Sequence, residues 1–251
     1  MFFLSILIDS SYAKNSGQFL RIDRKKKIGK PTTLMENKLS EFLKSKEARL
    51  PKDNIDFFEK NEAFLGDSRD ISIDIPKPNV VITSPPYPNR YDYTRSYALE
   101  LAFSFVDSNS ELIELRHNLF RSHIESKIQS NYINKIHPAV SEVLKILESK
   151  ELNNNKIPDM LIGYFYDIET TIKELSFFLA KKAEMFIVVD NVRYEGEVIP
   201  IDLIIADIAS SYGFKLKDLL ITRYKGNSSQ QMAKYGRIPV RESLIWLEKS
   251  I

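Results

Sequence analysis

The stretch Asn79-Val-Val-Ile-Thr-Ser-Pro-Pro-Tyr87 decides how the rest of the chain is interpreted. It begins with a β-branched run, which is typical of a fully buried strand in an α/β sheet. Pro85 and Pro86 follow directly, and proline neither donates to a strand ladder nor fits a helix interior. We therefore predict a buried strand over residues 79–83 that ends in a stiff, non-helical loop at its carboxyl end.

Strands and helices alternate on either side of this stretch. Apolar residues recur at spacings of four and three over residues 161–179, which predicts a helix that packs against a broad surface. The predicted strands are residues 63–65, 79–83, 185–190, 214–224 and 242–247, and the predicted helices are residues 33–49, 93–105, 158–179 and 200–212. The apolar residues 1–8 fit either type of element. The alternation predicts an α/β fold with helices on both faces of one sheet.

The composition limits the chemistry that the chain can perform. Of its 251 residues, 43% are hydrophobic and 28% are charged, with a formal net charge of +2 and no cysteine. The missing cysteine excludes disulfides, thiolate metal sites and a cysteine nucleophile. The three histidines stand at no recognisable ligand spacing, so we expect no metal site. Because the net charge is close to zero, any contact with a polyanion must come from a local basic patch.

No membrane or secretory segment is indicated. The apolar run over residues 1–8 is too short to span a bilayer and has no basic region before it. We therefore expect a cytoplasmic protein with no membrane partner. Lysine and arginine residues are dense over residues 21–30, a pattern that suits phosphate contact but equally suits a solvated loop.

The loop after the predicted strand has unusual hydrogen-bonding chemistry. Its two prolines donate no amide hydrogens, so it offers carbonyl acceptors, the Ser84 hydroxyl and the aromatic face of Tyr87. A rigid loop of this kind can hold a planar group that carries hydrogen-bond donors, such as the exocyclic amine of a base. The alternative is a proline-stiffened turn with a packed tyrosine.

Thr83-Ser-Pro-Pro-Tyr87 after a buried strand resembles the catalytic motif of the DNA amino-methyltransferases, which modify cytosine N4 or adenine N6. Phe64-Leu-Gly-Asp67, Pro88-Asn-Arg-Tyr-Asp-Tyr93 and the segment over residues 232–243 resemble further parts of the same family, in the same order. The resemblance implies a Rossmann-like methyltransferase sheet and S-adenosylmethionine as methyl donor, with no metal. It also implies double-stranded DNA as substrate, a target base flipped out of the duplex, and a place in a restriction-modification system.

The resemblance assigns roles to individual residues. The catalytic residues would be Ser84, Pro85, Pro86 and Tyr87, with the serine hydroxyl and the Pro85 carbonyl accepting the amine hydrogens and Tyr87 stacking on the base. Asp67, with Ser68 beside it, would lie near the adenine of the cofactor. The candidate DNA contacts are Asn89, Arg90, Tyr91, Tyr93, Arg95, Lys225 and Arg237. For the basic residues near the end of the chain, the alternative is local pairing, as between Arg241 and Glu242.

The resemblance also implies the acceptor: in this family, serine rather than Asp or Asn at position 84 favours cytosine N4, with adenine N6 as the alternative. Cytosine C5 methylation needs a cysteine nucleophile, which this sequence does not have. The resemblance divides the chain into a basic, helical segment over residues 1–61, which could take part in DNA recognition, and a catalytic region over residues 62–251. The catalytic region would carry a helical insertion around residues 111–155.

The sequence departs from the family in one large respect. The cofactor site of the family needs a glycine-rich turn after a first strand, but no two of the eight glycines here are separated by a single residue. We therefore expect an incomplete sheet that lacks its first strands. A second chain or a missing upstream segment would supply the glycine turn, and a cognate restriction endonuclease could accompany the enzyme. The alternatives are a catalytically inactive nucleic-acid-binding module and a structural subunit of a restriction-modification complex.

Overall fold

The computed structural model describes residues 2–16, 19–49, 61–127, 136–226 and 229–250. The chain divides into two compact units, one of Met1–Leu65 with Asp92–Arg116 and the other of Gly66–Tyr91 with His117–Ile251. The chain enters the second unit at Gly66 and returns to the first unit over Asp92–Arg116, after the candidate catalytic loop. The division into residues 1–61 and 62–251 stays a prediction.

The first unit combines a β-hairpin with several helices. Its elements are α1 (Phe2–Ile6), β1 (Ala13–Ser16), β2 (Phe19–Ile22), α2 (Pro31–Arg49), α3 (Tyr93–Ser96), α4 (Ala98–Ser104) and α5 (Asn109–Asn118), whose last two residues belong to the second unit. The Lys26 ammonium donates to the carbonyls of Ile8 (2.5 Å) and Ala13 (2.7 Å). One lysine of the basic stretch therefore holds the hairpin region together.

The helix predicted over residues 93–105 is interrupted at Tyr97. This residue ends α3 and precedes α4 with a backbone at φ −105° and ψ 23°, outside the helical range. Asp92 caps α3 by accepting the Thr94 amide at 2.9 Å. The rings of Tyr93 and Tyr97 stack within this unit, with centroids 6.3 Å apart.

The second unit is a mixed α/β structure. Its elements are β3 (Val80–Thr83), α6 (Pro138–Glu148), α7 (Ile157–Phe178), β4 (Glu184–Asp190), β5 (Val192–Tyr194), β6 (Glu197–Ile199), α8 (Ile201–Ser211), β7 (Phe214–Lys225), α9 (Ser229–Tyr235) and β8 (Val240–Lys249). Four strands form one sheet in the order β3-β4-β8-β7, in which β3 and β4 are parallel and the other pairs are antiparallel. The predicted elements over residues 158–179, 185–190, 200–212, 214–224 and 242–247 are therefore confirmed. In the part of the chain that the structure describes, no helix is long and apolar enough to cross a membrane.

The core of this unit lies on one face of the sheet. Met185, Ile187 and Val189 alternate along β4 and are buried, as are Ile245 and Leu247 on the paired strand β8. These side chains form a single cluster with the apolar stripes of α6, α7 and α8. The helix stripe predicted over residues 161–179 thus packs against a sheet, as its spacing indicated.

The opposite face of the sheet differs from the prediction. Val80 and Ile82 on β3 are 49% and 78% exposed, and Leu220 on β7 is 47% exposed. Among the described residues of this unit, the helices bury their apolar side chains against the Met185 face. Within the part of this unit that the structure describes, helices therefore cover one face of the sheet. The strand β3 is an exposed edge strand rather than the buried strand that was predicted.

One further expected strand is not found. Residues 63–65 do not form a strand: Phe64 is half exposed and Leu65 is fully exposed, because this segment has no ladder partner among the described residues. Around residues 111–155, where a helical insertion is predicted, the described residues contain α5, α6 and a loop at residues 150–156. Residues 128–135 lie outside the described residues, and the insertion stays a prediction.

A buried ionic network fastens α8 to the sheet. Asp202 is fully buried and accepts hydrogen bonds from the Arg241 guanidinium (2.7 and 3.1 Å) and the Ser243 hydroxyl (2.6 Å), both on β8. Its backbone amide donates to the Asn191 side chain at 3.1 Å. Burial opposes ionisation, but the hydrogen bonds from Arg241 and Ser243 outweigh it and lower the pKa of Asp202.

Asp202→Asn should destabilise this unit by about 3 kcal/mol, because it leaves the Arg241 charge without its buried partner. Urea unfolding followed by the fluorescence of Trp246, the single tryptophan, measures the change. Asp207→Asn on the same helix is the matched control: that carboxylate is 63% exposed and should contribute less than about 1 kcal/mol. Equal effects of the two substitutions on the free energy of unfolding would contradict the stabilising role of the buried ion pair between Asp202 and Arg241.

The stability that the ion pair between Asp202 and Arg241 provides should depend on pH. A carboxyl group whose folded pKa lies below its unfolded value of about 3.9 contributes its full stability above that value. The contribution disappears as the pH falls through the lower, folded pKa. The stability difference between wild type and Asp202→Asn should therefore be constant above about pH 5 and shrink below about pH 4.

Candidate active site

The candidate catalytic loop, residues 84–87, leaves the carboxyl end of β3. Ser84 is exposed, whereas Pro85, Pro86 and Tyr87 are half-buried. The hydroxyls of Ser84 and Tyr87 lie 3.2 Å apart, and the Tyr87 carbonyl accepts the Asn89 amide at 2.7 Å. Tyr87 also packs against the core of the second unit. The loop thus presents the Ser84 hydroxyl beside the Tyr87 ring, and that ring is fixed by its contact with the core.

A buried carboxylate lies at the same edge of the sheet. β3 and β4 are parallel with Thr83 beside Ile187, so both strands end at this edge, and β4 ends in Asp190. Asp190 is 3% exposed and forms an ion pair with the Lys225 ammonium, which lies 5.4 Å from the centre of the Tyr87 ring. Its second carboxylate oxygen, Oδ1, is buried with no hydrogen-bond partner among the described residues.

The neighbouring strands β8 and β7 carry further ion pairs close to Asp190. Glu242 on β8 accepts the Arg223 guanidinium at 3.1 and 2.7 Å and lies 3.7 Å from the Lys225 ammonium. The hydrogen bond from Arg223 lowers the pKa of Glu242. The alternative to DNA contact was local pairing, as between Arg241 and Glu242, but Arg241 bonds to Asp202 and Glu242 pairs with Arg223. Lys225, predicted as a DNA contact, is brought next to the candidate catalytic loop.

The residues that follow the loop are tied to neighbouring elements. The Tyr194 hydroxyl donates to the Pro88 carbonyl at 2.5 Å. Arg90 has a positive φ of 68°, its amide donates to the Ser122 carbonyl at 3.1 Å, and its guanidinium lies 5.9 Å from the centre of the Tyr194 ring. Arg90, predicted as a DNA contact, therefore also fixes the path of the chain after the loop.

Asp67 and Ser68, the predicted cofactor residues, are joined to α7. Asp67 accepts both Nε and Nη2 of Arg69, at 2.9 and 2.6 Å, and this hydrogen bonding lowers the pKa of Asp67. Arg69 also contacts the fully buried Asp167 of α7 at 3.3 Å, and Asp167 forms an ion pair with Arg121. The Ser68 hydroxyl lies 3.4 Å from that of Thr171. Asp67 keeps about half of its side chain exposed, so it can still accept further hydrogen bonds.

The remaining predicted DNA contacts are distributed over both units. Asn89 accepts the Tyr91 amide at 3.1 Å in a turn directly after the catalytic loop. Tyr93 and Arg95 belong to the first unit, where Arg95 lies 3.3 Å from Asp92. Arg237 is exposed in the segment between α9 and β8. The structure therefore gathers the catalytic loop, Asn89, Arg90, Tyr91 and Lys225 at one end of the sheet in the second unit.

Sequence reasoning missed Asp190 and Tyr194. Asp190 could have been found, because it ends an apolar strand and ligand sites in such sheets lie at the carboxyl ends of parallel strands. Tyr194 had no comparable signal, because its contact with Pro88 joins positions 106 residues apart. Within the described ranges, no three potential metal-ligating side chains lie together.

Together, the mixed α/β fold, the acceptor-rich loop and the buried carboxylate beside it define a class: an α/β protein with a polar site at the carboxyl ends of two parallel strands. Comparison with known proteins gives the family. M.BsoBI of Geobacillus stearothermophilus, a Type II methyltransferase, is 35% identical over an alignment of 303 residues. The alignment covers 98% of this chain and 58% of the relative.

A second Type II methyltransferase, M.AvaI of Nostoc sp. (strain PCC 7120), is 41% identical over 180 residues, or 66% of this chain and 37% of the relative; M.AvaI of Anabaena variabilis matches equally. The chain thus spans about half the length of the curated relatives it matches. No family model matches it. The chain belongs to the DNA methyltransferase family, which confirms the resemblance carried by the motif around Ser84.

A solved structure from Thermus thermophilus, provisionally assigned as a DNA modification methylase, shares 12% identity over 74% of this chain and 51% of that chain. Its TM-score of 0.33 is too low to support an argument about the fold.

Proposed function

We propose that this chain carries the base-binding and catalytic-loop part of a DNA methyltransferase that transfers methyl from S-adenosylmethionine to an exocyclic base amine, in the first place cytosine N4. The observation that carries the proposal is the Ser84–Tyr87 loop at the carboxyl end of β3, beside the buried Asp190 of the parallel strand β4. The relationship to Type II methyltransferases over nearly the whole chain supports it.

The loop suits an amine acceptor because exocyclic amines are poor nucleophiles. Their lone pair is delocalised into the base, and accepting both amine hydrogens favours a tetrahedral nitrogen with a localised lone pair. The exposed Ser84 hydroxyl and the Pro85 carbonyl would be the two acceptors. Because the amine loses a proton when it gains a methyl group, a proton acceptor is also needed. The carboxylate of Asp190, with one unpaired oxygen, is available at this edge of the sheet.

Tyr87 would hold the target base. A base that is paired in duplex DNA cannot reach a protein loop, so the enzyme would flip it out and stack it on the tyrosine ring. Asn89, Tyr91, Tyr93, Arg95 and Arg237 would contact the surrounding DNA together with Arg90 and Lys225. In this proposal Arg90 and Lys225 have a second task, since each also contacts residues of the protein beside the loop.

S-adenosylmethionine would supply the sulfonium methyl group when bound, but the residues of this chain fit only one end of it. Asp67, half exposed next to Ser68, can accept a hydrogen bond from the adenine amine. The glycine-rich turn that approaches the methionine end is absent from the sequence. We therefore propose that a second chain or a further segment completes the cofactor site.

We propose that this second chain or further segment pairs with the edge strand β3. Its far side has no strand partner among the described residues, and Val80 and Ile82 are largely exposed. An exposed apolar edge next to the catalytic loop favours pairing with another strand. A Rossmann-like sheet would then extend past β3, as the family resemblance implies. A cognate restriction endonuclease would be a separate partner in the same system.

Ser84→Ala in the complete enzyme should lower methyl transfer at least about a hundredfold, because one acceptor aimed at the amine is lost. Tyr87→Ala should cause a similar loss through the missing stacking surface, whereas Tyr87→Phe, which keeps the ring, should retain most activity. Transfer of tritiated methyl to unmethylated DNA measures all three. Ser176→Ala, which removes a hydroxyl bonded within α7, is the matched control and should be fully active. Full activity of Ser84→Ala would remove the catalytic assignment.

The methylated product should be N4-methylcytosine, as serine at position 84 favours. Nuclease digestion of the modified DNA followed by mass spectrometry identifies the product. N6-methyladenine would keep the mechanism and change the base. Finding 5-methylcytosine would contradict the mechanism, because that reaction needs a cysteine nucleophile.

The chain alone should bind S-adenosylmethionine weakly or not at all, because only the adenine end has contacts. A partner that carries the glycine turn should restore binding, and a ligand at a hundred times its dissociation constant should then stabilise the complex by about 2.7 kcal/mol. Calorimetric titration of the chain with and without the partner measures both. Micromolar binding by the chain alone would show that it contains a complete cofactor site.

A further inference from the structure

We infer that the hairpin β5–β6 (Val192–Ile199) is a positioning clasp that couples the catalytic loop to the segment between α9 and β8. The inference rests on the proposed function for its catalytic consequence. Three consecutive side chains at the turn of this hairpin, those of Arg193, Tyr194 and Glu195, are at most 6% exposed. Each of them bonds to a part of the chain outside the hairpin: Tyr194 to Pro88, and both Arg193 and Glu195 to Tyr235.

Tyr194 fixes the exit of the catalytic loop. Its hydroxyl, in a ring that is 5% exposed, donates to the carbonyl of Pro88, the residue directly after Tyr87. Burial raises the pKa of Tyr194, so the hydroxyl stays protonated and remains a donor. The Arg90 guanidinium lies over the same ring, at 5.9 Å from its centre. Tyr194 therefore contacts both sides of the turn that leads out of the site.

Glu195 holds a backbone conformation that its residue type does not favour. Glu195 and Gly196 have φ of 44° and 87°, the two positive values of a type I′ turn, for which Asn-Gly is the preferred pair. Its carboxylate accepts the Tyr235 hydroxyl (2.6 Å), the Lys234 ammonium (3.1 Å) and the Asn153 amide (3.3 Å). A strained residue whose side chain makes three outside contacts points to a role beyond forming the turn.

Arg193 completes the connection to the segment between α9 and β8. Its guanidinium donates to the carbonyls of Tyr235 (2.8 Å) and Gly236 (2.9 Å), and to that of Gly196 (3.1 Å). Gly196 also approaches the Tyr235 ring so closely that an added Cβ would lie 2.9 Å from it. The next residue, Arg237, is exposed. DNA held at Arg237 would thus act on the catalytic loop through Arg193, Glu195 and Tyr194.

Hydrogen exchange of the full chain tests the coupling without requiring activity. In Tyr194→Phe, amides of residues 84–91 should exchange at least about tenfold faster, because the Pro88 carbonyl loses its donor. Tyr212→Phe is the matched control: it removes a tyrosine hydroxyl bonded to Glu169 at 2.7 Å and should leave residues 84–91 unchanged. Unchanged exchange of residues 84–91 in Tyr194→Phe would overturn the inference.

Glu195→Asn separates positioning from simple turn formation. Asparagine suits the turn, so the amides of residues 192–199 should stay protected, while those of residues 232–239 should exchange at least about fivefold faster. General loss of protection across the hairpin would assign Glu195 a structural role only and contradict the clasp.

Kinetics of the complete enzyme test the catalytic consequence. Tyr194→Phe should lower kcat about tenfold and leave the KM for DNA and for S-adenosylmethionine within about twofold, because the loop is misplaced after binding. A normal kcat with faster exchange of the loop would refute positioning. An inactive wild-type enzyme would instead refute the proposed function, and the exchange experiments would still decide whether the hairpin holds the loop.

Discussion

The parallel pairing of β3 with β4 is the constraint on which the site depends. Because Thr83 lies beside Ile187, the two strands end at the same edge of the sheet. The proline-rich loop and Asp190 therefore leave the sheet side by side, although the chain between them is about a hundred residues long. Parallel strands require such a crossover, and here it contains α3 to α7. Without this pairing, the loop and Asp190 would not lie at the same edge of the sheet.

Buried charge is concentrated at this edge and is paired almost throughout. Asp202 bonds to Arg241, Glu195 to Lys234 and Asp190 to Lys225. Buried ion pairs stabilise a fold little compared with apolar packing, so stability alone does not explain such a group of them. In the proposed function, these ion pairs fix the geometry of the reaction, because the loops of a catalytic site must be held within a fraction of an ångström. The unpaired oxygen of Asp190 is the exception that fits chemistry rather than packing.

The sequence predicted the elements whose signals are local. The apolar spacing of α7, the strand β4 and the helix α8 all lie where the sequence predicted a helix, a strand and a helix. Burial of β3 was predicted wrongly, because Val80 and Ile82 have the composition of a central strand but occupy an edge. The motif indicated the family, and the catalytic role of its loop stays a prediction. The contacts that hold it, from Tyr194 and Lys225, join distant positions and leave no local pattern.

The central claim is that the target base sits on Tyr87, and photocrosslinking tests it most directly. Duplex DNA in which 5-iodocytosine replaces cytosine throughout contains every possible recognition sequence, and irradiation joins the iodinated base to an aromatic side chain that it stacks on. The complete enzyme should yield a crosslinked nucleotide on the peptide that contains residues 84–90, at Tyr87. Crosslinks confined to other aromatic residues, such as Tyr12 or Phe19 near the basic hairpin, with Tyr87 unmodified, would contradict the account.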